Sequence, residues 1–297
     1  MVEISEIFSD SWGLIWAFIG LFSLFTLTWL ISIPLVNVGI IDIIWGLTFV
    51  LQALIHFFYY SRNSTSPCWP NVVYAGLIVL HGLRLSIYLA VRNCGKPEDR
   101  RYKILFRDKY GDKYSWLSYF VTFWPQLIIS FIVGFVIFSF LTITDVNKIN
   151  IPTFLVGAII MFLATLYESV ADQQLYNFKK NPENKGKVLD SGLWYYCRHP
   201  NYFSESVFWF GTYIVSLSAV IYYCIFAPAL MIVFVNFVSG TPITEKTMSN
   251  GRSEEYKKYI RTTSTYFPWF KLKDKEEIEH TQVKNVDSSN NNAISSL

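Results

Sequence analysis

Arg198, His199, Asn201 and Glu205 stand together at the head of an apolar segment, within the stretch LDSGLWYYCRHPNYFSESVFW from Leu189 to Trp209. Pro200 lacks an N–H and suits a first helical turn, so the spacing predicts a helix starting near His199 and running through Ser218. On that helix Asn201, Glu205 and Trp209 fall at i, i+4 and i+8, along one face. Its start offers unpaired N–H groups and the positive end of a dipole, next to the cationic Arg198. This chemistry suits an anion. A phosphate or carboxylate docks at the helix start, while Asn201 and Glu205 reach amide or hydroxyl groups deeper in the layer.

Other ionisable residues lie inside apolar runs: Asp42, His56, His81, Arg84, Glu168 and Asp172. Each costs about 3 kcal/mol at a bilayer centre unless it is paired or faces a wet cavity. His81, Arg84 and Tyr88 share a face at i, i+3 and i+7, and Glu168 shares one with Asp172 at i and i+4. A pairing of Asp42 with Arg84 neutralises both charges, and a plain structural ion pair between helices is the simplest reading of it. His56 has no charged companion in the pattern and is expected only to be hydrogen-bonded near an interface. The loop KKNPENKGK places Lys179, Lys180, Lys185 and Lys187 beside the two carboxylates. These lysines mark one side of a membrane and, with Arg198, also compose a diphosphate site, which leaves Asp172 to hold a ribose hydroxyl or an amide. The carboxylate pair is equally open to being solvated. Neither GxGxxG nor GxxxxGK[ST] occurs, so a nucleotide is not held by a Rossmann or P-loop element.

These groups need membrane helices to position them. The chain has 297 residues, 52% hydrophobic, 18% aromatic and only 16% charged, with a mean hydropathy of +0.31. A soluble domain carries nearer a quarter charged residues, so the composition predicts an all-α, polytopic membrane bundle. Apolar runs of about 20 residues fall at Gly13 to Leu35, Gly39 to Tyr60, Val72 to Val91, Leu117 to Thr144, Ile151 to Val170, Tyr202 to Ala219 and Val220 to Val238, about seven spans in all. Basic residues gather at Arg92 to Lys113, Lys179 to Arg198 and after Lys246. Seven spans put all three on one side, cytosolic by the positive-inside rule, together with the C-terminus. A net charge of +3 is too small to argue for nucleic acid, and no nucleic-acid partner is expected. The four cysteines form no CxxC pair, which suggests neither a zinc site nor a disulfide framework. The acidic N-terminus predicts no cleavable signal peptide. Asn63-Ser64-Thr65 is a weak glycosylation sequon. One transmembrane domain is expected over 1–270, with a short amphipathic segment after Pro242 and a disordered tail over 271–297.

Gly192-Leu193-Trp194, followed by Arg198-His199-Pro200-Asn201-Tyr202 and Glu205, resembles the C-terminal signature of the steroid 5α-reductase superfamily. That superfamily includes the sterol C14- and Δ7-type reductases and the isoprenylcysteine carboxyl methyltransferases. The closest resemblance is to its branch of reductase-like multi-pass membrane proteins. Further blocks are similar in order: Asp42 with Trp45-Gly46, Gly82-Leu83-Arg84-Leu85, Glu98-Asp99-Arg100-Arg101-Tyr102, Glu168 with Ala171-Asp172-Gln173, then Glu255-Tyr256, Tyr259 and Pro268-Trp269-Phe270.

The resemblance implies seven helices around a cavity that holds NADPH on the cytosolic side, with a sterol or other lipid substrate arriving through the bilayer, by default in the endoplasmic reticulum. The cofactor set it implies is Arg84, Glu168, Asp172, Lys179, Lys187, Arg198, His199, Asn201, Tyr202, Glu205 and Tyr256. It also implies a glutamate and a tyrosine that polarise the substrate carbonyl. Here the nearest carboxylate is Asp42 and the tyrosine's place falls near His81, so the acid pair is Asp42 with His81, or Tyr88 serves. Ser204 stands where many members have glycine, adding a side chain close to the nicotinamide end. The expected activity is NADPH-dependent reduction of a carbon-carbon double bond in a lipid enone, with His81, held by Asp42, as the donor to the carbonyl. The alternatives are an isoprenylcysteine-type methyltransferase using S-adenosylmethionine (SAM) and a non-catalytic lipid-binding protein.

Overall fold

The computed structural model describes residues 11–62, 68–235 and 254–274. The sequon and the segment around Lys246 lie outside them. The long helices follow from the apolar runs. Helix α1 is Trp12–Leu35, α2 Ile41–Arg62 and α3 Trp69–Asn93. Helix α4 is Trp124–Leu141, α5 Ile151–Lys180 and α6 Pro200–Leu217. A short α7, Phe226–Val233, and an amphipathic α8, Glu254–Thr262, complete the set. No strand occurs among the described residues. The chain is therefore a polytopic helical bundle.

Five helical stretches are long and apolar enough to cross a membrane, against the seven expected: α1, Val38–Arg62, α3, Arg100–Leu141 and α5. Helix α6 has 18 residues but is interrupted by Asn201, Ser204, Glu205 and Ser206. The last apolar run is broken by a 3-10 turn at Tyr222–Ile225 and is described only through Val235. The fourth span also begins earlier than its apolar run. Arg100–Phe123 is already helical, with π-turns at Lys103–Arg107 and Tyr119–Phe123.

Local chemistry sets the helix ends. Asn150 caps α5 by accepting from the Thr153 N–H, and Pro200 opens α6 with His199 at the cap position. At about 1.5 Å per residue, α5 is about 45 Å long, so its last turns, with Asp172 to Lys180, extend beyond a hydrocarbon core of about 30 Å. Ile159, Leu163, Leu166 and Val170 leave an exposed apolar stripe on α5, the face such a helix turns to lipid.

Two backbone crossings lock the bundle. Helices α2 and α3 touch at Gly46 and Gly82, and α5 and α6 touch at Gly157 and Gly211, so closely that no Cβ fits without a shift. After α8 the chain runs back over the mouth of the bundle. Trp269 N–H donates to Tyr196 O at 2.9 Å and Leu272 N–H to Thr262 O at 2.8 Å, while Arg261 pairs with Asp274 at 3.1 Å. The packed chain thus reaches Asp274, four residues past the expected boundary at 270; the rest of the tail lies outside the described residues.

Candidate active site

The crossing of α5 and α6 brings Glu168 and Asp172 against Glu205, with His81 and Arg84 of α3 on the third side. Arg84 Nη2 lies 2.6 Å from Glu168 Oε1 and Arg84 Nη1 lies 2.7 Å from Asp172 Oδ2. His81 Nε2 is 2.9 Å from Glu205 Oε2 and 3.9 Å from Glu168 Oε2. Its Nδ1 is 3.2 Å from Thr165 Oγ1, and its ring stacks on Phe208 at 3.7 Å. Trp209 Nε1 donates to Glu205 Oε1 at 2.9 Å, and Asn201 Nδ2 donates to Asp172 Oδ1 at 3.4 Å.

Two cavities open beside this cluster. The smaller, about 180 Å³, is walled by Asp42, Tyr88, Tyr102, Glu168, Asp172 and Glu205, with Trp45, Met231 and Phe234 as its apolar side. The larger, about 710 Å³, is walled by Arg92, Lys96, Arg100, Lys179, Lys180, Lys185, Lys187, Arg198, His199 and Tyr256. Arg92, Arg101, Asn201 and Tyr202 belong to both walls, so the cavities adjoin. The three basic segments of the sequence supply residues to this one end of the bundle.

Four expectations are corrected, two of them pairings. Asp42 does not meet Arg84: its Oδ1 accepts from Tyr102 Oη at 2.6 Å and its Oδ2 pairs with Arg101. The segment after Asp99 folds over Asp42, while the i, i+4 carboxylates of α5 offer Arg84 a matched pair of acceptors. His81 is likewise not held by Asp42. Both its nitrogens are turned to Thr165 and Glu205, and it belongs to neither cavity wall. Ser204 does not reach into a cavity, because its hydroxyl donates to Ala164 O across the α5 crossing at 2.6 Å. His56, expected to be hydrogen-bonded near an interface, is fully buried against Phe138, and neither ring nitrogen has a hydrogen-bond partner among the described residues.

The remaining residues named from sequence divide between the two cavities. Tyr88, Glu168, Asp172 and Glu205 wall the smaller, Lys179, Lys187, Arg198, His199 and Tyr256 the larger, and Asn201 and Tyr202 both. Arg84 stands behind the wall as the partner of Glu168 and Asp172. Arg198 is fastened from both sides of its backbone and side chain: its N–H donates to Ser264 O at 2.8 Å and its guanidinium bonds Thr265. Sequence reasoning missed Gln126 and Thr165, quoted Arg101 and Tyr102 without a role, and took Arg92 only as the start of a basic segment. The EDRRY block was the available signal for Arg101 and Tyr102.

A family model described as "Protein of unknown function (DUF1295)" matches residues 28–263. The chain belongs to that family. The DUF1295 match begins inside α1 and ends just past α8, so it takes in every residue of the buried cluster and of both cavity walls. No curated protein and no solved structure matched the chain.

Proposed function

We propose that this DUF1295 protein is a membrane-embedded reductase that uses NADPH to saturate a carbon-carbon double bond conjugated to a carbonyl in a sterol or other lipid. The observation that carries this reading is the juxtaposition of two cavities of opposite character. The larger is rich in lysine and arginine and, at about 710 Å³, falls in the range of about 300–1,000 Å³ usual for small-molecule sites. It opens onto a smaller one with phenols and carboxylates on one side and apolar side chains on the other.

The residues fit the cofactor chemically. Lys179, Lys187 and Arg198, beside the start of α6, would hold its phosphates. Asn201, Tyr202 and Asp172, at the junction, would take hydroxyl and amide groups. The cofactor supplies a hydride when bound; the chain supplies placement, exclusion of water and a proton donor. Within the smaller cavity that donor is Tyr88. Its Oη is buried with no hydrogen-bond partner among the described residues, and the Arg92 guanidinium lies over its ring at 5.6 Å. A phenol placed there would stabilise charge developing on a carbonyl oxygen, an effect commonly worth about 3–4 kcal/mol. Tyr102, bonded to Asp42, stands on the same wall as a second phenol. Trp45, Met231 and Phe234 would receive the lipid portion of the substrate. The resemblance to lipid reductases supports residence in the endoplasmic reticulum, and the positive-inside pattern supports a cytosolic C-terminus.

Equilibrium titration of the purified protein with NADPH and with SAM tests the reading, followed by cofactor-consumption assays on a panel of enone lipids. Saturable NADPH binding with turnover of an enone supports it. SAM binding in place of NADPH points to methyl transfer, and NADPH binding with no turnover of any enone points to a lipid-binding role; either result overturns it.

A further inference from the structure

The Thr165 hydroxyl lies within hydrogen-bond distance of both Met161 O and His81 Nδ1. It has one proton, and that proton goes to Met161 O, 2.9 Å away. With that proton on Met161 O, Thr165 accepts from His81 Nδ1 at 3.2 Å, the arrangement in which Nδ1 is the protonated nitrogen of a neutral ring. The Nε2 of the neutral ring then turns a lone pair toward Glu205 Oε2 at 2.9 Å and Glu168 Oε2 at 3.9 Å. Lone pairs facing one another at that distance repel. A positive centre belongs between them.

Both carboxylates are arranged to receive it. Glu205 has its Oε1 bonded by Trp209 Nε1 and Glu168 has its Oε1 ion-paired with Arg84, leaving each with its second oxygen turned to His81. Glu168 Oε2 has no hydrogen-bond partner among the described residues. His81, Glu168 and Glu205 are only 4%, 3% and 7% exposed, so water does little to soften the charge. Glu168 and Asp172 pair with the one guanidinium of Arg84, and Glu205 adds a third carboxylate to the cluster. One proton on Nε2 leaves this group negative in a low-dielectric interior, whereas a divalent cation makes it neutral.

We propose that His81 Nε2, Glu168 Oε2 and Glu205 Oε2 bind a divalent first-row transition ion of the zinc, manganese or iron(II) class. One ligand atom from each of the three residues lies within 4.8 Å of the others, a spacing that a single ion bridges. An imidazole with two carboxylates suits these ions, and three protein ligands leave a position open in the manner of a catalytic rather than a structural site. Glu168 and Glu205 wall the smaller cavity, which provides the entry path and the direction of the open position. Thr165 is the orienting partner that a metal-bound histidine needs on its other nitrogen. The three ligands come from α3, α5 and α6, which is why no short motif marks the site.

The test uses the full chain, purified in detergent without chelators. Elemental analysis is expected to find about one equivalent of one such ion. After chelation, titration with Co²⁺ alone is expected to restore binding with ligand-field absorption bands. Glu168→Gln and His81→Ala are expected to weaken Co²⁺ binding by more than about tenfold, and Thr165→Val by about tenfold through the lost orienting bond, with folding checked by thermal unfolding of each variant. Thr165→Val and Glu168→Gln keep the packing volume and so serve where His81→Ala fails to fold. No ion in the native preparation together with no Co²⁺ uptake overturns the proposal and assigns the place between Nε2 and the carboxylates to a proton. Equal uptake by the wild-type chain and the variants also overturns it, as adventitious binding.

Discussion

Gly46 on α2 and Gly82 on α3 meet so closely that a Cβ added to Gly46 would lie 2.2 Å from the Gly82 carbonyl oxygen. The neighbour is backbone and cannot rotate away, so the helices themselves have to separate. The crossing sits one turn from Asp42 on α2 and beside His81 and Arg84 on α3, and it sets the depth of all three. Gly46→Ala is expected to destabilise the folded chain by about 1–3 kcal/mol or more. Gly76→Ala is the internal control, since a Cβ there meets nothing within 4 Å. Thermal unfolding in detergent compares the two, and equal midpoints would show the crossing to be looser than described.

Arg84 is the cation that lets two α5 carboxylates stay buried. Its loss in Arg84→Ala leaves Glu168 and Asp172 without their charged partner, a change that typically costs about 3–5 kcal/mol. Arg84→Lys keeps the charge but not the fork that bonds both carboxylates, so it is expected to fall between the wild-type chain and Arg84→Ala. Denaturant unfolding of the three proteins measures the order. A lysine variant as stable as wild type would reduce the role of Arg84 to charge alone.

How much of this was legible in the sequence depended on whether one helix or two were involved. The length of the apolar runs gives α1, α2, α3 and α5, and Pro200 places the start of α6. Helical spacing puts Asn201 with Glu205 and Glu168 with Asp172. Rotation of one helix about its axis relative to the next leaves no trace in a single sequence, so the partners across helices were misassigned. Asp42 went to Arg84 rather than to Arg101 and Tyr102, and His81 went to Asp42 rather than to Glu205. Arg100 to Trp116 stands outside the apolar run that begins at Leu117 because its charges hide a helical path with a π-turn at Lys103–Arg107. Ser204 resembled a cavity residue because nothing in the sequence shows the α5 carbonyl waiting for its hydroxyl.

Cys197 ties the signature turn to the returning C-terminal segment, its thiol donating to Tyr266 O at 2.8 Å. Burial pushes the Cys197 thiol up to about 11, against smaller opposing effects of the His199 N–H and the Arg198 charge. Only the thiolate alkylates, so Cys197 is expected to stay unmodified near neutral pH while the exposed Cys94 reacts. Its labelling rate should rise about tenfold per pH unit until the pH nears 11. The folded chain holds this proton more tightly than the unfolded one, for which the ordinary value is 9.0. The associated stabilisation is therefore complete below that pH and is lost as pH rises through about 11. Peptide mapping of maleimide-treated protein across pH reads the rate. Rapid modification of Cys197 at pH 7 would show that the returning segment does not cover it.

On the proposed function, the lysines of the larger cavity act on affinity and not on the chemical step. A charge-assisted contact to a phosphate contributes about 1.5–3 kcal/mol, so Lys187→Ala is expected to weaken NADPH binding about tenfold or more. Raising the salt concentration should weaken wild-type binding and narrow the gap between the two proteins, because exposed charges are screened. NADH, which lacks the extra phosphate, is expected to bind more weakly than NADPH. Equal affinities for the two dinucleotides would remove the extra phosphate from the contacts of the basic loop, and a Lys187→Ala protein that binds NADPH as wild type does would remove Lys187 from the cofactor site.

Tyr88 and His81 share a face of α3, yet only Tyr88 reaches a cavity wall, and this separates the proposed donor from the residue behind it. If Tyr88 gives its proton toward a carbonyl oxygen, Tyr88→Phe removes a single hydroxyl from a buried wall that has no hydrogen bond of its own to lose. Folding and NADPH affinity should then stay near wild type, while kcat falls by about 10²–10³, the usual loss for one oxyanion donor. Tyr102→Phe differs in kind, because its hydroxyl is bonded to Asp42. That variant leaves a carboxylate short of a donor and is expected to lose stability along with activity. The distinguishing measurement is kcat and unfolding midpoint taken together on both variants. A Tyr88→Phe protein with undiminished kcat, beside a Tyr102→Phe protein that folds normally but turns over slowly, would transfer the donor role to Tyr102 and make Asp42 the carboxylate that orients it.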